Sequence, residues 1–367
     1  MSTVLLAVIA VILCILFRIL NVNSQPHKPV IYGRDKNFIE NILFIAPFLN
    51  EPYMPTRLWG FSGHVQTILH SLIGRVRCPW PIGARISLLL PDRSTLTYDL
   101  YEPVGTEHEG HTDDFNYMLE NLTERYPNTK LVLVGFSLGG NLITKYLGEE
   151  RSRPASIIGG ISICQGYNAI DTMVYLLQWQ NFRRLYLYVM TDNYRNIITR
   201  HKRSLLSADM KSRFNLDEQM IVSAGTLPDL DEAYSRRVHG FPSVAALYKW
   251  SSSSQYVGGV RTPLVFINAR DDPIVPEPLL PVVREFVSSH DKTMYLELAH
   301  GGHLGFYEGG LLYANPVTWL DRALVGLTGG LLMAHDKGAP ATADHEPDLI
   351  RSATIVYRDP LDKTPLK

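Results

Sequence analysis

The sequence is poor in cysteine and has no excess of charge of either sign. Its 367 residues include three cysteines, Cys14, Cys78 and Cys164, and no two of them form a CxxC pair. A disulfide framework is therefore excluded, as is the ligand spacing of structural zinc and dithiol redox sites. The 35 Lys and Arg residues nearly balance the 36 Asp and Glu residues. With no basic block along the chain, nucleic-acid binding is not expected.

The overall composition is that of a folded protein. Hydrophobic residues make up 46% of the chain and charged residues 19%, which excludes disorder throughout as well as a fibrous chain. The length allows one large α/β domain or two small ones. Cys78 and Cys164 are expected to be small, buried side chains of such a core.

The N-terminus carries an apolar run. Every residue from Val4 to Phe17 is apolar, and the run continues past Arg18 to Leu20. It holds about 17 apolar residues, close to the minimum that crosses ~30 Å of hydrocarbon. Arg18 stands at the edge of the run, where a long side chain can reach the headgroups. We therefore predict an uncleaved, single-pass membrane anchor over residues 1–22, in the endoplasmic reticulum or plasma membrane.

Two other interpretations of this run stay open, a cleaved signal peptide and a buried helix. A signal peptide needs a basic segment before the run and a small-x-small site after it, and the sequence supplies neither convincingly. Basic residues follow the run, which favours a cytoplasmic body: Lys28, Arg34 and Lys36. The tripeptide that begins at Asn121 is a glycosylation acceptor only in a lumenal or extracellular body. The side of the membrane is therefore left open.

Strand and helix patterns alternate between residues 23 and 335, which we predict to be one α/β domain with a parallel sheet. Residues 24–60 are rich in proline and are expected to be irregular. The patterns predict a hairpin of Arg85–Leu90 and Thr95–Tyr101, strands at Leu131–Val134, Ser156–Cys164, Pro263–Asn268 and Thr293–Leu298, and helices at Asp113–Tyr126, Asn141–Leu147, Leu279–Ser289 and Leu312–Met333.

Residues 167–250 differ from the rest of this domain. They lack strand signals and carry helical patterns that are dense in aromatic and basic residues. We predict a helical cap inserted into the domain, whose charged helices either face a bilayer or form an ordinary amphipathic pair. Residues 336–367 are polar and rich in proline, and we predict a loose C-terminal tail there.

One motif indicates a nucleophile. Gly135-Phe136-Ser137-Leu138-Gly139 matches G-x-S-x-G, with an apolar strand before it and a helix after it. A serine at a sharp turn between strand and helix requires glycine two residues to either side, because side chains there would clash. We therefore predict that Ser137 is a nucleophile presented at the end of a strand.

A serine nucleophile needs a base, and the base needs an acid that fixes its tautomer. An acidic loop, Asp271-Asp272-Pro273, follows the strand that ends at Asn268, and we assign Asp272 as the acid. The glycine-flanked His303 follows the next strand, and we assign it as the base. Asp271 and His300 stay open as alternatives for the two roles.

The chain resembles the membrane-anchored abhydrolase family in four segments: Arg57–Thr67 (RLWGFSGHVQT), Gly135–Asn141, Asn268–Pro273 and Gly301–Gly305. The resemblance covers nearly the whole chain. It implies an α/β-hydrolase fold with a helical cap, and a serine esterase or acylglycerol lipase that acts on membrane lipids. It also implies catalysis by Ser137, Asp272 and His303, with the N–H of Leu138 in the oxyanion hole. His64 is expected to be structural, with a role in the site as the alternative.

The chain departs from this family between its early hairpin and the helix that precedes the Ser137 strand. Only Glu102–Thr112 stands where the family has a further strand, helix and strand. The loop after the missing strand normally supplies one of the two oxyanion-hole donors, and the loss of one donor costs about 10²–10³ in turnover. We therefore expect an incomplete sheet in which the early hairpin meets the Ser137 strand directly.

The sequence as a whole predicts a membrane-anchored serine hydrolase of lipid esters that works through an acyl-enzyme. Its expected partners are a lipid ester substrate and the bilayer, and no metal or organic cofactor is needed. Two alternatives stay open. One is a catalytically impaired, lipid-binding form, motivated by the short connection at Glu102–Thr112. The other is an acyltransferase, in which an alcohol replaces water as the acceptor.

Overall fold

The structure is a computed structural model that describes residues 3–21, 23–74, 84–89, 95–100 and 112–338. Cys78, most of the Glu102–Thr112 connection and nearly all of the 336–367 tail lie outside the described residues. The strands are β1 (Val30–Tyr32), β2 (Ala84–Leu89), β3 (Thr95–Leu100), β4 (Leu131–Phe136), β5 (Ile157–Ile163), β6 (Leu264–Ala269) and β7 (Thr293–Leu298).

The helices outside the segment between β5 and β6 are α1 (Thr3–Leu20), α2 (Lys36–Ile45), α3 (Gly63–Ile73), α4 (Thr112–Arg125), α5 (Leu138–Gly148), α14 (Pro281–Ser289) and α15 (Trp319–Gly338). The helices between β5 and β6 are α6 (Ala169–Leu176), α7 (Arg183–Arg200), α8 (Lys202–Leu205), α9 (Ala208–Phe214), α10 (Glu218–Ser223), α11 (Leu227–Leu230), α12 (Arg236–Val238) and α13 (Val244–Ser251). Most core elements lie within two residues of their predicted bounds.

Five strands form one mixed sheet in the order β1-β7-β6-β5-β4. Strands β4 to β7 run parallel, and the short β1 pairs antiparallel with β7. Every residue of β5, β6 and β7 is buried. Helices cover both faces of the sheet, so a continuous apolar run suits these strands better than alternation of apolar and polar residues.

The two faces of the sheet belong to two separate hydrophobic clusters. Val265 and Ile267 pack on the side covered by α2 and α15, whereas Leu264 and Phe266 pack on the side covered by α5 and α14. This alternation follows from strand geometry, because successive side chains point to opposite faces. The domain is therefore a three-layer α/β sandwich.

The expectation that the early hairpin meets the Ser137 strand is wrong. Among the described residues, β2 and β3 pair only with each other, in a separate two-stranded sheet. The hairpin contacts α4 instead, where the hydroxyl of Tyr98 donates to Oδ1 of Asn121 at 2.5 Å. Strand β4, which leads to Ser137, is consequently an edge strand of the main sheet, and the side chain of Val134 is 40% exposed.

Residues 24–60 are more regular than the sequence indicated. Helix α2 begins after Asp35, whose side chain accepts a hydrogen bond from the N–H of Phe38 at 3.0 Å. Phe38 and Ile42 are buried on the face that packs against α15. The prolines of this region all stand outside β1 and α2. They mark irregular chain at their own positions, whereas the residues between them form regular elements.

Helix α15 begins seven residues later than the predicted Leu312. Pro316 disfavours a helical conformation for the residue before it. The helix then starts at a capping box, in which the hydroxyl of Thr318 accepts from the N–H of Asp321 at 3.2 Å and the carboxylate of Asp321 accepts from the N–H of Thr318 at 2.9 Å.

Helix α1 is exposed along its length, with large apolar side chains such as Val4 and Phe17 facing outward. Its C-terminal end is tied to the domain, because Nδ2 of Asn21 donates to the carbonyl of Phe61 at 3.1 Å. Across the described residues, no helix combines the length and the apolar character needed to cross a membrane.

The cap lies between β5 and β6 and consists of helices α6 to α13. It has a small hydrophobic cluster of its own, which includes Ile198, Leu216, Ile221 and Leu230. A cap with a separate core can shift relative to the sheet without disturbing the main core.

Candidate active site

Ser137 stands at the sharp turn between β4 and α5. Its backbone has φ of 51° and ψ of −116°, a left-handed conformation that is unfavourable for a residue with a side chain. A Cβ on Gly135 would lie 2.3 Å from the carbonyl oxygen of Gly139, so Gly135 has to be glycine. A Cβ on Gly139 would meet nothing within 4 Å. The requirement for glycine on both sides therefore holds for Gly135 and is wrong for Gly139.

His303 lies between the serine and an aspartate. Its Nε2 is 2.8 Å from Oγ of Ser137, and its Nδ1 is 2.8 Å from Oδ2 of Asp272. Both His303 and Asp272 are buried, whereas Ser137 is partly exposed. The structure thus brings together the three side chains that the sequence singled out, although they are widely separated along the chain.

The carboxylate of Asp272 fixes the tautomer of His303. Its Oδ1 accepts from the N–H groups of Ile274 and Val275 at 2.7 and 2.9 Å, which leaves Oδ2 to accept from Nδ1 of His303. With its proton on Nδ1, the imidazole has a free lone pair on Nε2 that can accept the proton of the Ser137 hydroxyl.

The two alternative residues form a separate pair. Oδ1 of Asp271 accepts from the N–H of Gly302 at 2.9 Å, and its Oδ2 lies 3.4 Å from Nδ1 of His300. Nε2 of His300 is hydrogen-bonded to Oγ of Ser24 at 3.0 Å. Burial raises the pKa of Asp271 above its ordinary value. This pair therefore braces the loop that carries His303 and does not contact Ser137.

Helix α3 holds the loop of His303 from the other side, which was not predicted. Oγ1 of Thr67 accepts from the N–H of His303 at 2.8 Å and donates to the carbonyl of Gly63 at 2.7 Å. A Cβ on Gly63 would lie 1.9 Å from the carbonyl oxygen of Asp271. Both residues belong to the block that carried the family resemblance, but nothing in their local pattern indicated contact with the acid and base loops.

His64 joins α3 to the cap. Its Nδ1 is 2.9 Å from the hydroxyl of Tyr186, and the two rings stack with centroids 5.8 Å apart. Burial lowers the pKa of His64, and the positive charge of Arg183 lowers it further. Burial likewise raises the pKa of Tyr186 to about 12. At neutral pH both side chains are therefore uncharged hydrogen-bonding groups at the boundary between cap and core.

Leu138 is the first residue of α5. The first N–H groups of a helix have no partner within the helix. They point out of its N-terminal end, where the helix dipole stabilises negative charge. The N–H of Leu138 directly follows the serine, so it is placed to bind an oxygen that becomes negatively charged when Ser137 attacks a carbonyl.

A metal could be held only by displacing the hydrogen bonds just described. Among the residues that the structure describes, the ligand atoms of Cys164, Asp272 and His303 lie within 4.8 Å of one another. Burial raises the pKa of the Cys164 thiol, which disfavours the thiolate that metals bind. The arrangement suits proton transfer between the side chains better than metal binding.

The comparisons with known proteins identify the class. A family model described as the alpha/beta hydrolase fold matches residues 91–310. The chain belongs to this family. The order of its strands and the turn that carries Ser137 agree with that assignment.

Two curated relatives show how far the similarity extends. "Abhydrolase domain-containing protein 2" of Drosophila melanogaster is 50% identical over 397 residues, which covers 93% of this chain and 100% of that protein. "Monoacylglycerol lipase ABHD2" of Homo sapiens is 32% identical over 381 residues, which covers 87% of this chain and 89% of that protein. Both alignments are longer than the chain, so both relatives carry residues that have no counterpart here.

Proposed function

We propose that this protein is a membrane-associated serine hydrolase that cleaves carboxylic esters of lipids, monoacylglycerols among them. The observation that carries the proposal is the hydrogen-bonded series from Oγ of Ser137 through the imidazole of His303 to the carboxylate of Asp272, with 2.8 Å at each step. The name of the human relative, a monoacylglycerol lipase, supports a lipid ester as the substrate.

The residues act in a fixed order. His303 takes the proton of the Ser137 hydroxyl through Nε2 while the oxygen attacks the ester carbonyl, and Asp272 stabilises the imidazolium that forms. The N–H of Leu138 donates to the carbonyl oxygen as its charge develops. His303 then protonates the leaving alcohol. In the second half it deprotonates a water molecule that attacks the acyl-enzyme, and it then returns this proton to Oγ of Ser137 as the bond to the acyl group breaks and the fatty acid leaves.

Two apolar surfaces near the site support association with a bilayer. Helix α1 exposes its apolar side chains, and its C-terminal end is bound to Phe61 next to α3. At the start of α7 the rings of Trp179 and Phe182 are 74% and 62% exposed, and Phe182 contacts His64 on α3. Because both surfaces flank α3, a lipid surface that covers them lies beside the loops of the catalytic residues.

Active-site labelling of the full chain in detergent or vesicles tests this proposal. Wild type should react with a fluorophosphonate probe and release fatty acid from a monoacylglycerol, and Ser137→Ala should abolish both. Ser289→Ala is the matched control, because this serine is exposed and far along the chain from the elbow. A folded wild-type protein that neither labels nor hydrolyses would contradict the proposal.

A second candidate is a lipid-binding form with impaired catalysis. The exposed edge of β4 favours it, because the nucleophile strand has no neighbour on one side within the described residues. A monoacylglycerol should then raise the melting temperature of wild type without any release of fatty acid, whereas product release removes this candidate. Acyl transfer is distinguished from hydrolysis by analysis of the products in the presence of added glycerol.

A further inference from the structure

A cavity of about 240 Å³ lies beside the serine elbow, between α5 and the end of the cap. One wall is a single face of α5, since residues spaced by three or four positions share a helix face: Leu138, Asn141, Leu142 and Lys145. The other wall comes from the cap: Ser235, His239, Leu247, Trp250 and Ser251. Lys145 lies seven positions after Leu138, about 10 Å along the helix axis.

Several polar groups in the walls are engaged in holding the cap. Nδ2 of Asn141 donates to the carbonyl of Ser251 at 2.7 Å, and its Oδ1 accepts from the N–H of Ser253 at 2.9 Å. The hydroxyl of Ser235 donates to Asp231 at 2.6 Å. These groups fix the shape of the cavity and have little capacity left to bind a ligand.

Lys145 closes the end of the cavity that is remote from Ser137. The residue is 3% exposed, and its Nζ lies 3.0 Å from the ring centroid of Trp250. The nearest carboxylate, Glu149, is 3.7 Å from Nζ, which is longer than a direct hydrogen bond. Burial lowers the pKa of Lys145 to about 8. Among the described residues Nζ forms an ion pair with Glu149 and has the ring of Trp250 over it, which leaves N–H groups of the ammonium that can donate to a ligand.

Within the described residues, the carboxylate that pairs with Lys145 also serves other cations. Glu149 is shared with Arg151 at 2.9 Å, and Arg151 also pairs with Asp113 at 2.8 Å. Arg153 lies beside them and donates to the backbone carbonyl of Glu149. In this described group of paired residues, the cations of Lys145, Arg151 and Arg153 share the carboxylates of Glu149 and Asp113. An anion placed in the cavity next to Nζ would give Lys145 a partner of its own.

We propose that this cavity is a subsite for an anionic group that the substrate carries at a distance from its ester carbonyl, at the Lys145 end of the cavity, and that Lys145 is the residue that selects it. The inference rests on the proposed function, because the ester must lie at Ser137. A carboxylate or phosphate would accept hydrogen bonds from Nζ, while Leu142 and Leu247 contact the methylene groups between the anion and the ester. The anion belongs either to the far end of the acyl chain or to the alcohol part.

Two pairs of substrates separate these sources. The first pair is a p-nitrophenyl ester of an acyl chain that ends in a carboxylate and an ester of the same length that ends in a methyl group. The second pair is a monoacylglycerol phosphate and the corresponding monoacylglycerol. Wild type should prefer the anionic member of one pair by roughly tenfold in kcat/KM, the usual worth of a hydrogen bond to a charged group. Equal or lower rates for the anionic member of both pairs would overturn the proposal.

Lys145→Gln should remove this preference, so that the anionic and neutral esters of the pair are hydrolysed with similar kcat/KM. Lys249→Gln is the matched control, because Lys249 lies next to Trp250 but is exposed, and it should keep the preference. A Lys145→Gln protein that folds and still prefers the anionic ester would contradict the assignment. The melting temperature of each variant establishes that it is folded.

The pH dependence of wild type tests the role of Lys145 without any variant. In wild type, the ratio of anionic to neutral kcat/KM should fall as the pH rises through about 8, because the Lys145 ammonium loses its proton. The groups that face it are Glu149, Arg151 and Asp113 on the core side and His239 and Tyr256 on the cap side. An unchanged ratio would contradict the role of Lys145.

If wild type hydrolyses no ester, the proposed function fails but the subsite is still testable by binding. Ser137→Ala is then mixed with an alkyl carboxylate or an alkyl phosphate and its melting temperature is measured. A rise that is lost in the double variant Ser137→Ala, Lys145→Gln supports the subsite. No rise with either ligand would overturn it.

Discussion

The two halves of the candidate active site are held in different ways. The loops of Asp272 and His303 follow β6 and β7, which lie inside the sheet and are wholly buried. Ser137 follows β4, the edge strand, whose Val134 is exposed. Yet Ser137 meets His303 at hydrogen-bond distance. A site of this kind needs each half to be stable, but it does not need them to be equally buried.

Strand β4 has one neighbouring strand in the part of the chain that the structure describes. It pairs with β5 along its length, and the N–H of Ser137 donates to the carbonyl of Ile163 at 2.8 Å, at the end of that ladder. Helix α5 packs against both strands from one side. The open edge of β4 presents a row of backbone N–H and C=O groups that can pair with another chain. We therefore expect substitutions at Asp272 and in the buried strand β6 to change turnover or the free energy of unfolding strongly, and substitutions along β4 to change them less.

The largest expected effect comes from the acid. Asp272→Asn should lower kcat by about 10⁴, because an amide in place of the carboxylate favours the wrong tautomer of His303. Turnover of a monoacylglycerol and the rate of fluorophosphonate labelling measure it. Asp271→Asn is the matched control one residue away, since the carboxylate of Asp271 contacts Gly302 and His300 and not His303. Equal losses in the two variants would contradict the assignment of Asp272.

Truncation of a side chain within the sheet should give the next largest effect. It tests the contrast between the buried strand β6 and the edge strand β4 directly. Ile267→Ala, in the fully buried β6, should lower the free energy of unfolding by about 2–5 kcal/mol, because it leaves a cavity in the main core. Val134→Ala, on the exposed edge, should cost less than about 1 kcal/mol. Denaturant unfolding of both variants measures the difference. Comparable costs would show that the edge of β4 is covered in solution.

The sequence was sufficient for the parts of the fold that depend on local pattern. The buried strands β5, β6 and β7 were found because their apolar runs are bounded by polar loops, and the serine, acid and histidine loops were found because each follows a strand. The hairpin was placed wrongly. Pairing between distant strands is decided by which partner is nearby in space, and neither β2 nor β3 carries a local signal for it.

The supports of the site were the harder part. Thr67 lies in an ordinary helix pattern, and its contact with His303 spans most of the chain. Helix α2 was missed because a ten-residue helix between prolines offers only a short periodic stretch. Both omissions concern residues that act through long-range packing. The sequence therefore predicts which side chains meet at the candidate site better than the residues that hold them in place.

Thr67→Val sharpens the comparison from the side of α3. The substitution removes the acceptor for the buried N–H of His303, which costs about 1–3 kcal/mol and loosens the loop that carries the base. We expect kcat to fall while KM for a monoacylglycerol stays near its wild-type value. Thr199→Val is the control, because its hydroxyl also donates to the carbonyl four residues earlier but lies exposed in the cap. A change in KM alone would contradict a positioning role.

The smallest predicted effect concerns Lys145, which lies on α5, the helix that follows strand β4. Burial lowers its pKa from 10.5 in the unfolded chain to about 8 in the folded protein. Between these values the unfolded chain binds more protons than the folded one, so this lysine makes stability rise with pH, by at most about 1.4 kcal/mol per pH unit. Denaturant unfolding from pH 7 to about 10 should show wild type gaining stability relative to Lys145→Met, whereas Lys249→Met should track wild type. A flat or falling difference would mean that Lys145 keeps its contact with water, and then the cavity beside Ser137 would have no buried cation to select an anion.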